Sequence, residues 1–348
     1  DANWTGPAGT TITLGTGSST IIYSTLTAAF AAMVAVGVSR SLLINGGPYN
    51  EQVSATPGSG VNWDIHGEGG GRTVWAASAN SQTLLTLGSA GGDYNNIRIR
   101  DILFQTGGFT SCTGIVISNS NASFHIEDCT FDVDGTSNVG LNVGSAVETA
   151  VERCTFEATS TSLGTGIDEN SGATRVLNCY FETAIGVDFT GSSSGNQVIG
   201  NQFLGGATSI GVRLQLTQQN VTIIGNNFAA IGVTTTGASG LLDNAVISDN
   251  NFGGTTGISF TGLTLDSDAL TVTGNTFDGN TTGIALDAQC RYGMVANNTF
   301  NGVTLANCIT GTPAATFQVF HNVSAAGALA DSGSPVGHLP AAGTAAIV

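Results

Sequence analysis

The stretch "IEDCTFD", residues 126–132, returns twenty-five residues on as "VERCTFE" (151–157) and again as "VLNCYFE" (176–182). Its Phe recurs at nine positions: Phe104, Phe131, Phe156, Phe181, Phe203, Phe228, Phe252, Phe277 and Phe300, with gaps of 22 to 27 residues. Five positions before each Phe stands a β-branched aliphatic, from Ile99 and Ile126 to Val272 and Val295. Two positions before it the column reads Ile102, then Cys129, Cys154 and Cys179, then Asn201, Asn226, Asn250, Asn275 and Asn298. A Gly-aliphatic pair follows at a variable distance, from Gly114-Ile115 to Gly283-Ile284. Each repeat therefore holds three short β segments, and a period this short has no room for a helix as well.

Three strands per turn, stacked at about 4.8 Å through backbone pairing, make a parallel β-helix. The expected fold class is an all-β solenoid with three strands and 22–27 residues per coil. The aliphatic strand (sheet two) leads through the Cys/Asn bend into the Phe strand (sheet three), and the Gly-aliphatic strand is sheet one. Burying one Phe is worth about 1.5–3 kcal/mol, so the stacked copies form a large core. Asn suits an inward-pointing bend, where each amide can bond to the amide above and below it. Cys in that column reads as a small apolar filler. No CxxC spacing occurs, which argues against a zinc site, and a Cys290–Cys308 disulfide is left open.

The open first coil needs a cap. "STLTAAFAAMVA", Ser24 to Ala35, has helical spacing and a Ser start, which predicts a capping helix. The expected organisation is a strand and capping helix over 1–40, the β-helix over 41–310, and a cap, tail or linker over 311–348. The sequence opens on Asp1 rather than Met, as a processed chain or a fragment would.

A helix followed by "LLINGGPYNEQV" (42–53), then "IHGEGGGRTV" (65–74), then coils with an Asn ladder, resembles the pectin-lyase-like right-handed β-helix superfamily. The resemblance covers roughly residues 20–310 and implies right-handed coils with substrate lying along sheet one. That superfamily includes pectate and alginate lyases, polygalacturonases, pectin methylesterases and phage tailspikes. The paired-Asp and "GHG" blocks of the polygalacturonases are absent.

The formal charge is −16, with no Lys and eight Arg. This is a poor match for nucleic acid, whose binding rests on neutralising phosphates. No run of about 18 apolar residues occurs, so no membrane span is expected.

Along sheet one, the residue after the buried aliphatic points outward. That column carries Asn142, Asp168, Asp188 and Arg213 in successive coils. Two carboxylates about 5 Å apart can split their pKa values into an acid and a base or nucleophile. Asp168, Asp188 and Arg213 are therefore the expected catalytic set. The competing reading is a solvated face with an Asp–Arg contact worth about 0–1 kcal/mol. The residue after each Phe gives Asp132, Glu157 and Glu182, a repelling column that a Ca²⁺ ion could relieve. Sheet two carries Arg98, Arg100, His125, Glu127, Glu152, Arg153 and Arg175, read mainly as a salt-linked face in which Arg100 meets Glu127. Asn142, Glu157, Glu182, His125 and Arg175 are the further side chains expected to touch a glycan.

Three functions compete. The first is a secreted, cell-surface or virion-borne β-helix that binds polysaccharide, with a homotrimer as one expectation. The second is a polysaccharide hydrolase or lyase. The third is a purely structural rod.

Overall fold

The computed structural model describes residues 11–16, 19–58, 60–69, 71–88, 96–118, 120–159, 163–235, 241–325 and 327–328. The fold is a right-handed parallel β-helix with three strands per coil. The chain divides into two compact units, Asp1–Thr183 and Ala184–Val348.

In the first unit, sheet two stacks Leu42, Ile65, Ile99, Ile126, Val151 and Val176 in register. Sheet one stacks Leu85, Ile115, Leu141 and Ile167. Sheet three stacks Trp75, Phe104, Phe131, Phe156 and Phe181. Their ring centroids are 5.7, 5.2, 4.7 and 4.8 Å apart in turn. The aromatic column thus begins before Phe104, with Trp75 in place of Phe. The Gly of each Gly-aliphatic pair serves this column: a Cβ on Gly140 would stand 2.8 Å from the Phe156 ring.

The capping helix spans Leu26–Val36. Its N-cap is Thr25 rather than Ser24, because the Thr25 hydroxyl accepts from the Ala28 N–H at 3.1 Å. The Glu51 carboxylate accepts from the Leu26 and Thr27 N–H groups at 2.9 Å each, so a negative charge meets the helix N-terminus. Phe30 packs on Trp63 and Trp75 and seals the first coil. Thr11–Thr16 pairs antiparallel with Ser19–Tyr23 and with Arg40–Asn45, which covers a sheet edge that would otherwise be open.

In the second unit, Val198, Ile223, Ile247, Val272, Val295 and Val319 stack in sheet two. Phe203, Phe228, Phe252, Phe277 and Phe300 stack at 4.7–4.9 Å. Coils continue past residue 310: Gln318–Phe320 pairs with Met294–Ala296, and Asn322 extends the Asn column. Residues 329–348 of the expected tail lie outside the described residues. All six Cys are free and buried, so the Cys290–Cys308 pairing is not made.

Candidate functional site

Side chains alternate along a strand, so every second residue of sheet two faces out. In the first unit, pairing register lines these residues into two rows. One runs Ser41, Asp64, Arg98, His125, Ala150, Arg175; the other runs Leu43, His66, Arg100, Glu127, Glu152, Leu177. The first row borders a groove of about 610 Å³, lined among others by Arg40, Ser41, Asn62, Asp64, Arg98 and His125.

Charge on this face is closely paired. Glu127 is only 3% exposed, and Arg98 holds it from one side. Arg153 reaches it at 3.0 Å from the other side and also pairs with Asp128 at 2.8 Å. A buried carboxylate needs such partners to offset its lost hydration. The Arg153 hydrogen bond holds Asp128 below the usual carboxylate range. His125 Nε2 lies 3.4 Å from Glu152 and 3.9 Å from Glu127. Arg175 pairs with Glu148 at 2.7 Å. Arg100 does not meet Glu127 as the register suggests. It turns instead to Asp64 at 3.1 Å and Asp101 at 3.2 Å, two carboxylates close to its own coil.

Ser41 and His66 come from successive coils and touch. Ser41 Oγ lies 3.1 Å from His66 Nε2. Burial, and then the Arg100 charge, hold the His66 ring below its ordinary pKa.

The acidic column forms as expected, with Asp132, Glu157 and Glu182 in register. Burial, then Asp132 and Glu182, push Glu157 up. Tyr180 donates to Glu182 at 3.1 Å. Among the described residues, the His, Cys, Asp or Glu side chains whose ligand atoms gather within 4.8 Å are instead His125, Glu127 and Glu152. Arg98 and Arg153 already hold the Glu127 carboxylate, so two guanidinium groups stand where a cation would have to go.

On sheet one, Asn142 donates to Asp168 at 3.0 Å in the first unit. Asp188 and Arg213 belong to the second unit. Asp188 is 3% exposed. Arg213 Nε donates to it at 2.9 Å, Arg213 Nη2 grips its second oxygen, and Gln215 donates at 2.8 and 3.1 Å. A carboxylate this saturated has little acceptor capacity left for a substrate proton.

Arg40, Ser41, Asn62, Asp64 and His66 were absent from the expected site. Alternation in "RSLLIN" (40–45) and "NWDIH" (62–66) is the signal that places Ser41, Asp64 and His66 outside, opposite buried Leu42, Trp63 and Ile65.

No protein-family model matches the chain, and no curated protein matches it. Among solved structures it is similar to a protein described as ORF18 of Geobacillus virus E2, with a TM-score of 0.43 and 12% identity. The match covers 86% of this chain and 57% of that one. A likeness that distant carries no functional argument, and the fold rests on the strand registers above.

Proposed function

We propose that this protein binds polysaccharide along the outer face of sheet two in its first unit, as a virion or cell-surface β-helix. The observation that carries the reading is the groove of about 610 Å³, lined by hydroxyl, amide, carboxylate, guanidinium and imidazole groups. Sugars present alternating donors and acceptors, and a lining of this kind can pair with both. The row runs on from His125 through Ala150 to Arg175. Five steps at about 4.8 Å give a track of about 24 Å, long enough for several sugar units in line.

Binding is favoured over hydrolysis or elimination at sheet one. A glycosidase acid or base must be free to exchange a proton with the substrate. Asp188 is committed to Arg213 and Gln215, and Asp168 accepts from Asn142. The test is retention of the intact protein on an array of neutral and acidic polysaccharides. Retention without release of reducing or unsaturated ends is expected. Failure to bind any glycan overturns the reading.

A further inference from the structure

We propose that Ser41 and His66 form an acyl-transfer dyad whose substrate is an O-acyl ester, such as an O-acetyl group, on the bound glycan. The substrate class rests on the glycan reading above; the dyad rests on its own geometry. Ser41 pairs in register with Asp64, and Leu43 with His66, so Ser41 and His66 are diagonal neighbours on the outer face of adjacent parallel strands. Their 3.1 Å contact is within reach for proton transfer from a hydroxyl to an imidazole. Ser41 also lines the groove, so a ligand lying there can reach its Oγ.

The surroundings suit a base. His66 faces Arg100 in register on the next strand, Asp64 on its own strand, and Asp101 just beyond Arg100. Arg100 is itself paired with Asp64 and Asp101, so it stays in place beside the ring. Burial and Arg100 keep the imidazole neutral near pH 7, the form that can accept the Ser41 proton. Arg40 and Asn62 line the same groove as Ser41.

The chemistry balances without a further reagent. Ser41 Oγ attacks the ester carbonyl carbon and its proton passes to His66 Nε2. The tetrahedral intermediate breaks its bond to the sugar oxygen, which takes the proton back from His66 and leaves as the alcohol. Water, deprotonated by His66, then attacks the acyl-serine. The acid is released and the proton returns to Ser41 Oγ.

The test uses p-nitrophenyl acetate and a fluorophosphonate probe on the whole folded chain. A burst of nitrophenolate and an acetyl or phosphonyl adduct on the Ser41 peptide are expected. Ser41→Ala and His66→Gln should each lower the rate at least about 10²-fold with unchanged circular dichroism, while Ser54→Ala leaves it intact. The wild-type rate should rise with pH through a midpoint below about 6.5. No adduct on Ser41, or turnover that survives Ser41→Ala, overturns the dyad. Ester turnover with an empty glycan array would overturn only the glycan reading, and glycan retention without Ser41 acylation only the dyad.

Discussion

In the first unit the bend column is Ile102 followed by Cys129, Cys154 and Cys179; in the second it is Asn201, Asn226, Asn250, Asn275, Asn298 and Asn322. Each Asn from 201 to 298 donates Nδ2 to the next Oδ1 at 2.9–3.0 Å, and its backbone N–H donates to the same oxygen at 2.8–3.0 Å. The Cys bends copy this pattern with weaker groups. Cys154 Sγ donates to the Ile126 carbonyl at 3.6 Å and Cys179 Sγ to that of Val151 at 3.5 Å, the counterparts of Asn226 to Val198 and Asn250 to Ile223. The Cys154 N–H points at the Cys179 sulfur at 3.4 Å. Thiols are weak donors and acceptors, so these bends are satisfied less fully.

The outer faces of sheet two differ the other way. In the second unit the row reads Gln197, Thr222, Val246, Thr271, Met294 and Gln318, with no charge. In the first unit the corresponding rows carry Asp64, Arg98, Arg100, His125, Glu127, Glu152 and Arg175. One backbone repeat therefore supports two uses of polar side chains: turned inward to lock the bends, or outward as a face of paired charges.

The aromatic column is shared, and removing it gives the largest expected effect. Phe156→Ala and Phe228→Ala should each cost about 3–5 kcal/mol, read from urea unfolding. The two costs should match, because both rings stack at 4.7–4.9 Å on either side. A gap of more than about 2 kcal/mol between them would break the claim of a common interior.

The bends should separate the units. Asn250→Ala strips partners from the Asn226 backbone and side-chain amides and from the Ile223 carbonyl, all buried, and should cost about 2–4 kcal/mol. Cys154→Ala loses only weak sulfur contacts and should cost about 1 kcal/mol. Replacing Cys129, Cys154 and Cys179 together by Asn should leave the urea midpoint at or above that of wild type. A triple variant that fails to fold would show that the Cys bends demand their own shape.

The smallest expected effect concerns the acidic column. Glu157 has a raised pKa in the folded state, so the stability linked to its protonated form is present at low pH and is lost as pH rises through that value. Glu157→Gln should therefore raise the melting temperature at pH 7, with the difference vanishing below the ordinary carboxylate pKa of 4.5.

Positions that repeat in one column were legible. Ile126, Cys129 and Phe131 stand where the spacing puts them, since a stacked coil turns period into contact. The aromatic column hid where its member changed type: Trp75 stands where later coils have Phe, so this first member of the column escaped a search anchored on Phe. Ser41 and His66 escaped for another reason. They meet diagonally, one row apart, and a scan within columns never joins them. Arg100 shows the remaining limit: register names its neighbours, but the choice of Asp64 and Asp101 over Glu127 follows from where Arg98 and Arg153 already sit.

Glycan affinity of matched outer-face variants in the two units tests the functional division most directly. Asn62→Ala with His125→Ala in the first unit should weaken binding at least about tenfold, or 1.4 kcal/mol. Thr222→Ala with Thr271→Ala in the second should leave it unchanged. Binding that survives the first pair, or falls with the second, would contradict a ligand face confined to the first unit.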